Sequence, residues 1–184
     1  MDPIEMLSAE HALIRRQLAL LAEASNRVQR ARSVPMAFFE KCARFARDFS
    51  DGYHHFKEEH ILFLFLAQKT DEAVQAELDH LRRQWEQSQR IMSDVVDLAE
   101  GYLSDEGSHR MKLLESLASY GSLIDQHLRT EDDVIFPLVR QTLSPEEMDE
   151  MRERFNAERY HAGWNVFECF QRLVDEMSLE LPPE

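Results

Sequence analysis

The chain has 184 residues, of which 43% are hydrophobic and 30% charged, enough for one domain with a real core and too apolar for a disordered polymer. Asp and Glu outnumber Lys and Arg by 35 to 21, and the resulting net charge of −14 argues against nucleic acid or an anionic membrane as partner, since both need a basic footprint. Two distant cysteines, Cys42 and Cys169, argue against a disulfide scaffold, a zinc ribbon or an iron–sulfur cluster.

Only five glycines and six prolines break the chain, so the elements are expected to be long. Asp2-Pro3 reads as an N-cap followed by proline at the first helical position. Ile4, Leu7, His11, Ile14, Leu18 and Leu21 then mark one face of an amphipathic helix, with a histidine in its middle. Pro35 restarts the chain into a second helix reaching about Gln68, with an interruption expected near Gly52. Thr70-Asp71 opens a third helix that ends near Gly101, and residues 101–108 read as a loop. A fourth runs from about Ser108 to Gln141, its last turn loosened by Pro137, which cannot donate the helical bond. Ser144-Pro145-Glu146-Glu147 is a capping box that starts a fifth helix, expected to continue to about Met177.

No alternating strand pattern or hairpin dipeptide is present. The expected fold is all-α: one domain over 1–184, with an up-down four-helix bundle over 1–141 and an additional C-terminal helix over 145–177. Phe155, Ala162, Val166, Phe170, Leu173 and Met177 form that last helix's apolar stripe, which either covers the bundle or makes a homodimer face. The longest apolar run, 61–67, is far short of a membrane span, and the acidic N-terminus lacks a leader pattern, so a cytoplasmic protein without membrane contacts is expected.

The chemistry is carried by a repeat. HHFKEEHILF, from His54, and HLRTEDDVIF, from His127, align without gaps as His-x-x-x-Glu-acid-x-apolar-apolar-Phe. His and Glu four residues apart share one helix face, and that face continues apolar, so the pair points toward a core. An imidazole and a carboxylate buried together need compensation, which a metal ion supplies. Each copy follows a helix with its own histidine: His11 lies 43 residues before His54, and His80 lies 47 before His127. Four helices packed about a pseudo-twofold axis would bring together four imidazoles and the carboxylates of Glu58 and Glu131, which can bridge two metals. A position left open there would take O2, peroxide or NO.

Around this set, His55 and Glu59 repeat the spacing one residue later, rotated by about 100° from the first pair. His55, His161, Tyr53 and Tyr160 are candidates for supporting roles or an extra ligand. A rival arrangement, two Glu-x-x-His pairs as in ferritin-like bundles, fits Glu77 with His80 and Glu158 with His161, but leaves His11, His54 and His127 unexplained.

Glu10-His11, HHFKEEHILF, Asp79-His80 and HLRTEDDVIFP resemble the hemerythrin-like HHE cation-binding family over about residues 8–140. The resemblance implies a four-helix bundle with a non-haem diiron centre, oxo- or hydroxo-bridged, ligated by His11, His54, Glu58, His80, His127 and Glu131. It implies small-molecule partners (O2, peroxide or NO) and either redox activity, such as peroxide turnover or iron–sulfur repair, or a carrier, sensor or iron-storage role; the residues alone also leave open a metal-free helical interaction protein. Manganese and zinc also suit such N and O ligands. Two departures from the family pattern are Leu64 after Phe63, where the second copy has Pro137 after Phe136, and Asp79 rather than Glu before His80.

Overall fold

The computed structural model describes residues 1–104 and 107–181. They form six helices and, among the described residues, no strand. The expected loop at 101–108 is shorter than the sequence suggests, because the preceding helix continues through Leu103. Residues 105, 106 and 182–184 lie outside the described residues.

Helix α1 spans Pro3–Gln29. Its start is fixed locally: the Asp2 carboxylate accepts from the Ile4 amide at 2.7 Å, and Glu5 accepts from the Asp2 amide at 3.1 Å. Helix α2 covers 36–67 without a break in helical backbone. It is α-helical over Met36–Arg44, widens to a π-helix over Phe45–His55 and again over Glu58–Leu62, and closes as α-helix over Phe63–Ala67. The interruption expected near Gly52 is therefore a widening, not a gap. Helix α3 is Glu72–Leu103, capped by the Asp71 carboxylate on the amides of Ala73 and Val74. Helix α4 covers 107–142, with a π-turn over Glu131–Ile135 that places Pro137 at the start of a fresh α-helical segment, where its missing N–H is tolerated.

Helix α1 lies along α4, α4 along α3, and α3 along α2, and the π-helical part of α2 meets α1 and closes the four-helix ring. The C-terminal segment is two helices rather than one: α5 over Pro145–Ala162 and α6 over Val166–Glu180. Gly163 divides them at φ +104°, a conformation that L side chains rarely adopt. The apolar stripe divides there too. Met151 and Phe155 pack at one end of the bundle, while Val166, Phe170, Leu173, Val174 and Met177 pack toward the other. Ala162, expected in the stripe, is exposed. The stripe is thus taken up inside the molecule, with α6 lying on α1 and α2.

The core is in two parts. One holds Leu13, Phe38, Phe45, Phe49, Trp85, Val95, Leu117, Leu128 and their neighbours; the other holds Ile4, Leu7, Leu62, Phe63, Leu81, Ile135, Val139 and Phe155. On every bundle helix the boundary falls at one level: between Leu7 and Leu13, Tyr53 and Ile61, Leu81 and Trp85, and Leu128 and Ile135. Buried polar residues occupy that level. No helix is long and apolar enough to cross a membrane among the described residues.

Candidate metal centre

His11, His54, His127, Glu58 and Glu131 are all fully buried at the level between the two cores. His11 Nε2 lies 3.5 Å from Glu58 Oε1 and 3.3 Å from Glu131 Oε2. His54 Nε2 is 3.2 Å from Glu58 Oε1, and His127 Nε2 is 3.2 Å from Glu131 Oε1. His55, read as peripheral, joins them with Nδ1 3.4 Å from Glu58 Oε2. Two groups of donor atoms each gather within 4.8 Å: His11, His54, Glu58 and Glu131, and His55, Glu58 and His127. Glu58 belongs to both.

The backbone explains why His54 and His55 both turn inward. A π-helix closes i→i+5 bonds, so each residue turns through a smaller angle than the 100° of an α-helix. Adjacent histidines on such a wide turn can face one site. The ring of His55 stacks on Trp85 with centroids 4.3 Å apart, which holds it in place.

Two carboxylates outside the cluster orient the rings. His11 Nδ1 is 2.9 Å from Asp132 Oδ1, and Asp132 Oδ2 accepts from Arg15 at 2.6 Å. His54 Nδ1 is 3.0 Å from Glu10 Oε2, and the other Glu10 oxygen accepts from Lys57. A carboxylate only accepts, so it keeps the proton on Nδ1 and leaves Nε2 free for an ion. Phe136 stacks on His11 at 5.1 Å and, with Trp85, forms an apolar wall.

Electrostatics follow from this crowding. Burial would lower the His11 pKa, but the carboxylates of Asp132, Glu131 and Glu58 overcome it and hold it well above the ordinary value. Burial likewise opposes, and the Glu131 carboxylate reverses, the shift at His127, which ends up raised. Burial pushes Glu58 up, yet His54, His11 and His55 hold it well below the usual carboxylate range. Burial and Glu58 push Glu131 up, and His127 and His11 bring it below. A bound cation would compete with protons for these rings.

The fit to a metal rests on atoms without partners. His11 Nε2, His54 Nε2, His55 Nδ1, His127 Nε2 and all the carboxylate oxygens of Glu58 and Glu131 are buried without a hydrogen bond. Leaving so many polar atoms unpaired in a packed core is costly unless they bind something. Nitrogen and carboxylate oxygen donors converging in this way suit iron, manganese or zinc.

His80 stands apart from the set expected from the sequence: it is exposed on α3. That helix buries Leu78, Leu81, Gln84, Trp85 and Ser88, and His80 falls off this face. A spacing of 43 before His127, the one that separates His11 from His54, falls on Gln84, one turn later. The symmetry breaks further out as well. Glu59, the counterpart of Asp132, accepts from Arg82 at 2.8 Å instead of from a histidine, and Arg82 also reaches Asp79 at 2.7 Å. His127 Nδ1 has no carboxylate partner, whereas its counterpart in His54 has Glu10.

His161 and Tyr160 are exposed at the end of α5, Tyr160 by 64%, and neither joins the cluster. The rival Glu-x-x-His pairs therefore have both histidines on the surface. Tyr53 is buried, but it packs under the Lys57 ammonium, 3.9 Å from its ring centroid, behind His54. Lys57, Asp132 and Trp85 are not singled out by spacing. The signal for Lys57 was its place inside the repeat, three residues after His54, where the second copy has Thr130.

Comparison with known proteins agrees with this geometry. The chain is similar to uncharacterized proteins of Mycobacterium bovis and of two Mycobacterium tuberculosis strains, each 26% identical over 175 residues, covering 95% of this chain and 67% of theirs. No solved structure gives a significant match. Residues 2–139 match the family model of the hemerythrin HHE cation-binding domain, and the chain belongs to that family.

Proposed function

We propose that Glu58 and Glu131, with the histidines around them, would hold two iron ions, in a protein that binds or reacts with O2, peroxide or NO. The observation that carries this is the convergence of unpartnered buried nitrogen and carboxylate atoms on one point of the core. His11 and His54, with both glutamates, would hold one ion, and His127 and His55, with Glu58, would hold the other, His55 taking the part expected of His80. A pair of redox-active ions held there supplies the one-electron and small-oxidant chemistry that protein side chains lack. The chain's own part is to bind, orient and exclude. Asp132 and Glu10 fix the tautomers of His11 and His54, and Arg15 and Lys57 balance those carboxylates. Full burial of His11, His54, His127, Glu58 and Glu131 restricts access to molecules of a few atoms, and Phe136 and Trp85 limit water.

The test is elemental analysis after anaerobic ferrous loading and desalting. The native chain is expected to carry about two irons. Replacing Glu58 or Glu131 with Ala should lose most of that, and His55→Ala should lose about half, whereas His80→Ala should keep it all. Full iron in both glutamate variants, or loss in His80→Ala with none in His55→Ala, would refute the assignment. Catalytic loss of peroxide by the loaded protein supports turnover; reversible stoichiometric O2 uptake without peroxide loss supports carriage.

A further inference from the structure

A cavity of about 190 Å3 lies on the far side of the Lys57–Glu10 pair from the cluster, between α1, α2 and the C-terminal helices. Its walls are mainly apolar, with Phe155 and Phe167 from α5 and α6 facing Met6 and Ala9 from α1. Its polar lining has a definite character. Lys57 is 1% exposed and bonds Glu10; its other N–H groups meet only aromatic faces, Tyr53 at 3.9 Å and Phe155 at 5.4 Å. Tyr53 is 6% exposed, and its hydroxyl makes no hydrogen bond to any described residue. The Lys57 ammonium and the Tyr53 hydroxyl are thus donors on one wall.

The charged side chains, by contrast, are already matched. Lys57 is paired with Glu10, while Arg159 donates to the Trp164 carbonyl at 3.0 Å and lies 3.5 Å from Glu168. An anionic ligand would find no unspent side-chain cation there, and it would approach a chain of net charge −14. An uncharged ring with one oxygen fits better: the oxygen meets Tyr53 and Lys57, and the ring lies among Phe155, Phe167 and Met6. We propose that this cavity is a binding site for a small neutral aromatic alcohol or ketone of phenol size. The size follows from the volume, which is below the 300 Å3 or so of a drug-sized pocket. The site adjoins the metal cluster through Glu10 and His54, yet its lining contains none of the proposed ligands, and it does not depend on the metal assignment.

Phenol is the probe, titrated into the full-length chain, both metal-free and iron-loaded, and followed by amide chemical shifts. Saturable binding with a Kd on the order of 0.1–1 mM is expected, with the shifts centred on α1, α2 and α5. Benzoate should bind at least about tenfold more weakly, Tyr53→Phe should weaken phenol about fivefold, and Ala9→Phe, which fills the cavity, should abolish binding. Benzoate binding as tightly as phenol would overturn the neutral class. Binding unchanged in Ala9→Phe, or absent from the native chain, would overturn the site. Binding seen only with iron present would place phenol on the ion instead and would also overturn it, whereas phenol binding to a chain that takes up no iron would leave this site standing and sink the metal reading alone.

Discussion

Lys57 is the residue whose position says most about how the centre is supported. A lysine with 1% exposure in a protein core needs its ammonium paired, and Glu10 pairs it while also holding His54. Burial still lowers the Lys57 pKa from its ordinary value, against the pull of Glu10. Lys57→Ala would leave the Glu10 carboxylate buried without its cation, and an orphaned buried charge typically costs about 3–5 kcal/mol. Urea denaturation should show a loss of that order, and the double change Lys57→Met with Glu10→Gln should recover most of it. A single variant within about 0.5 kcal/mol of the parent would mean that the pair is solvated and not buried. Of the buried cluster, the His-x-x-x-Glu pairs and His11 were legible because their spacing and their apolar trailers lie within one helix. His80, expected in the cluster, is exposed, and His55, expected in a supporting role or as an extra ligand, lies in it, because both placements depend on rotation about a helix axis. A π-turn brings His55 in, and the bulk of Trp85 with the Leu78 and Leu81 face leaves His80 out.

Helix ends were easier to read than helix interiors, because a cap is a local bargain between a side chain and the next few amides. Asp2, Asp71 and Ser144 each cap the helix that the sequence assigned to them. The π segments were hidden, since the hydrophobic pattern of a short widened turn differs little from that of an α-helix. Gly163 was also passed over, because the stripe from Phe155 to Met177 looked continuous through it. Its φ of +104° turns α5 away so that α6 can return along α1 and α2. A side chain at that angle is strained by about 1–3 kcal/mol, so Gly163→Ala should lower stability by that amount. Because α5 and α6 together wall the cavity, the same variant should also weaken phenol binding. A gain in stability would mean that the segment can straighten into the single helix expected from the sequence. Gly101 answers a different need: a methyl there would overlap the ring of His109 on α4, which would have to swing aside.

Across the whole molecule the polar layer divides two apolar cores, and this arrangement sets how metal and folding are linked. Each core alone is ordinary helical packing, readable in the sequence as amphipathic stripes. Their separation was not readable, because it emerges only when four helices are aligned at one level. Without an ion, that level holds unpartnered imidazole and carboxylate atoms at 0% exposure, which burden the folded state and not the unfolded one. An ion that binds the folded chain relieves them and shifts the equilibrium by mass action. At a free metal concentration a hundredfold above Kd, one site adds about 2.7 kcal/mol. For a chain of this length, each kcal/mol raises the midpoint by about 2–4 °C, so one filled position should raise Tm by about 5–11 °C, and two by roughly double that. The measurement is thermal unfolding by circular dichroism, under anaerobic conditions, with and without ferrous iron and again after chelation. Glu58→Ala should respond to iron far less than the native chain, because Glu58 belongs to both donor groups. His55→Ala should retain about half the rise, since only the second group needs it. A midpoint that ignores iron, manganese and zinc alike would mean that the buried histidines and glutamates neutralise one another as a closed ion-pair network, with the protons at His11 and His127 in the role assigned here to metal.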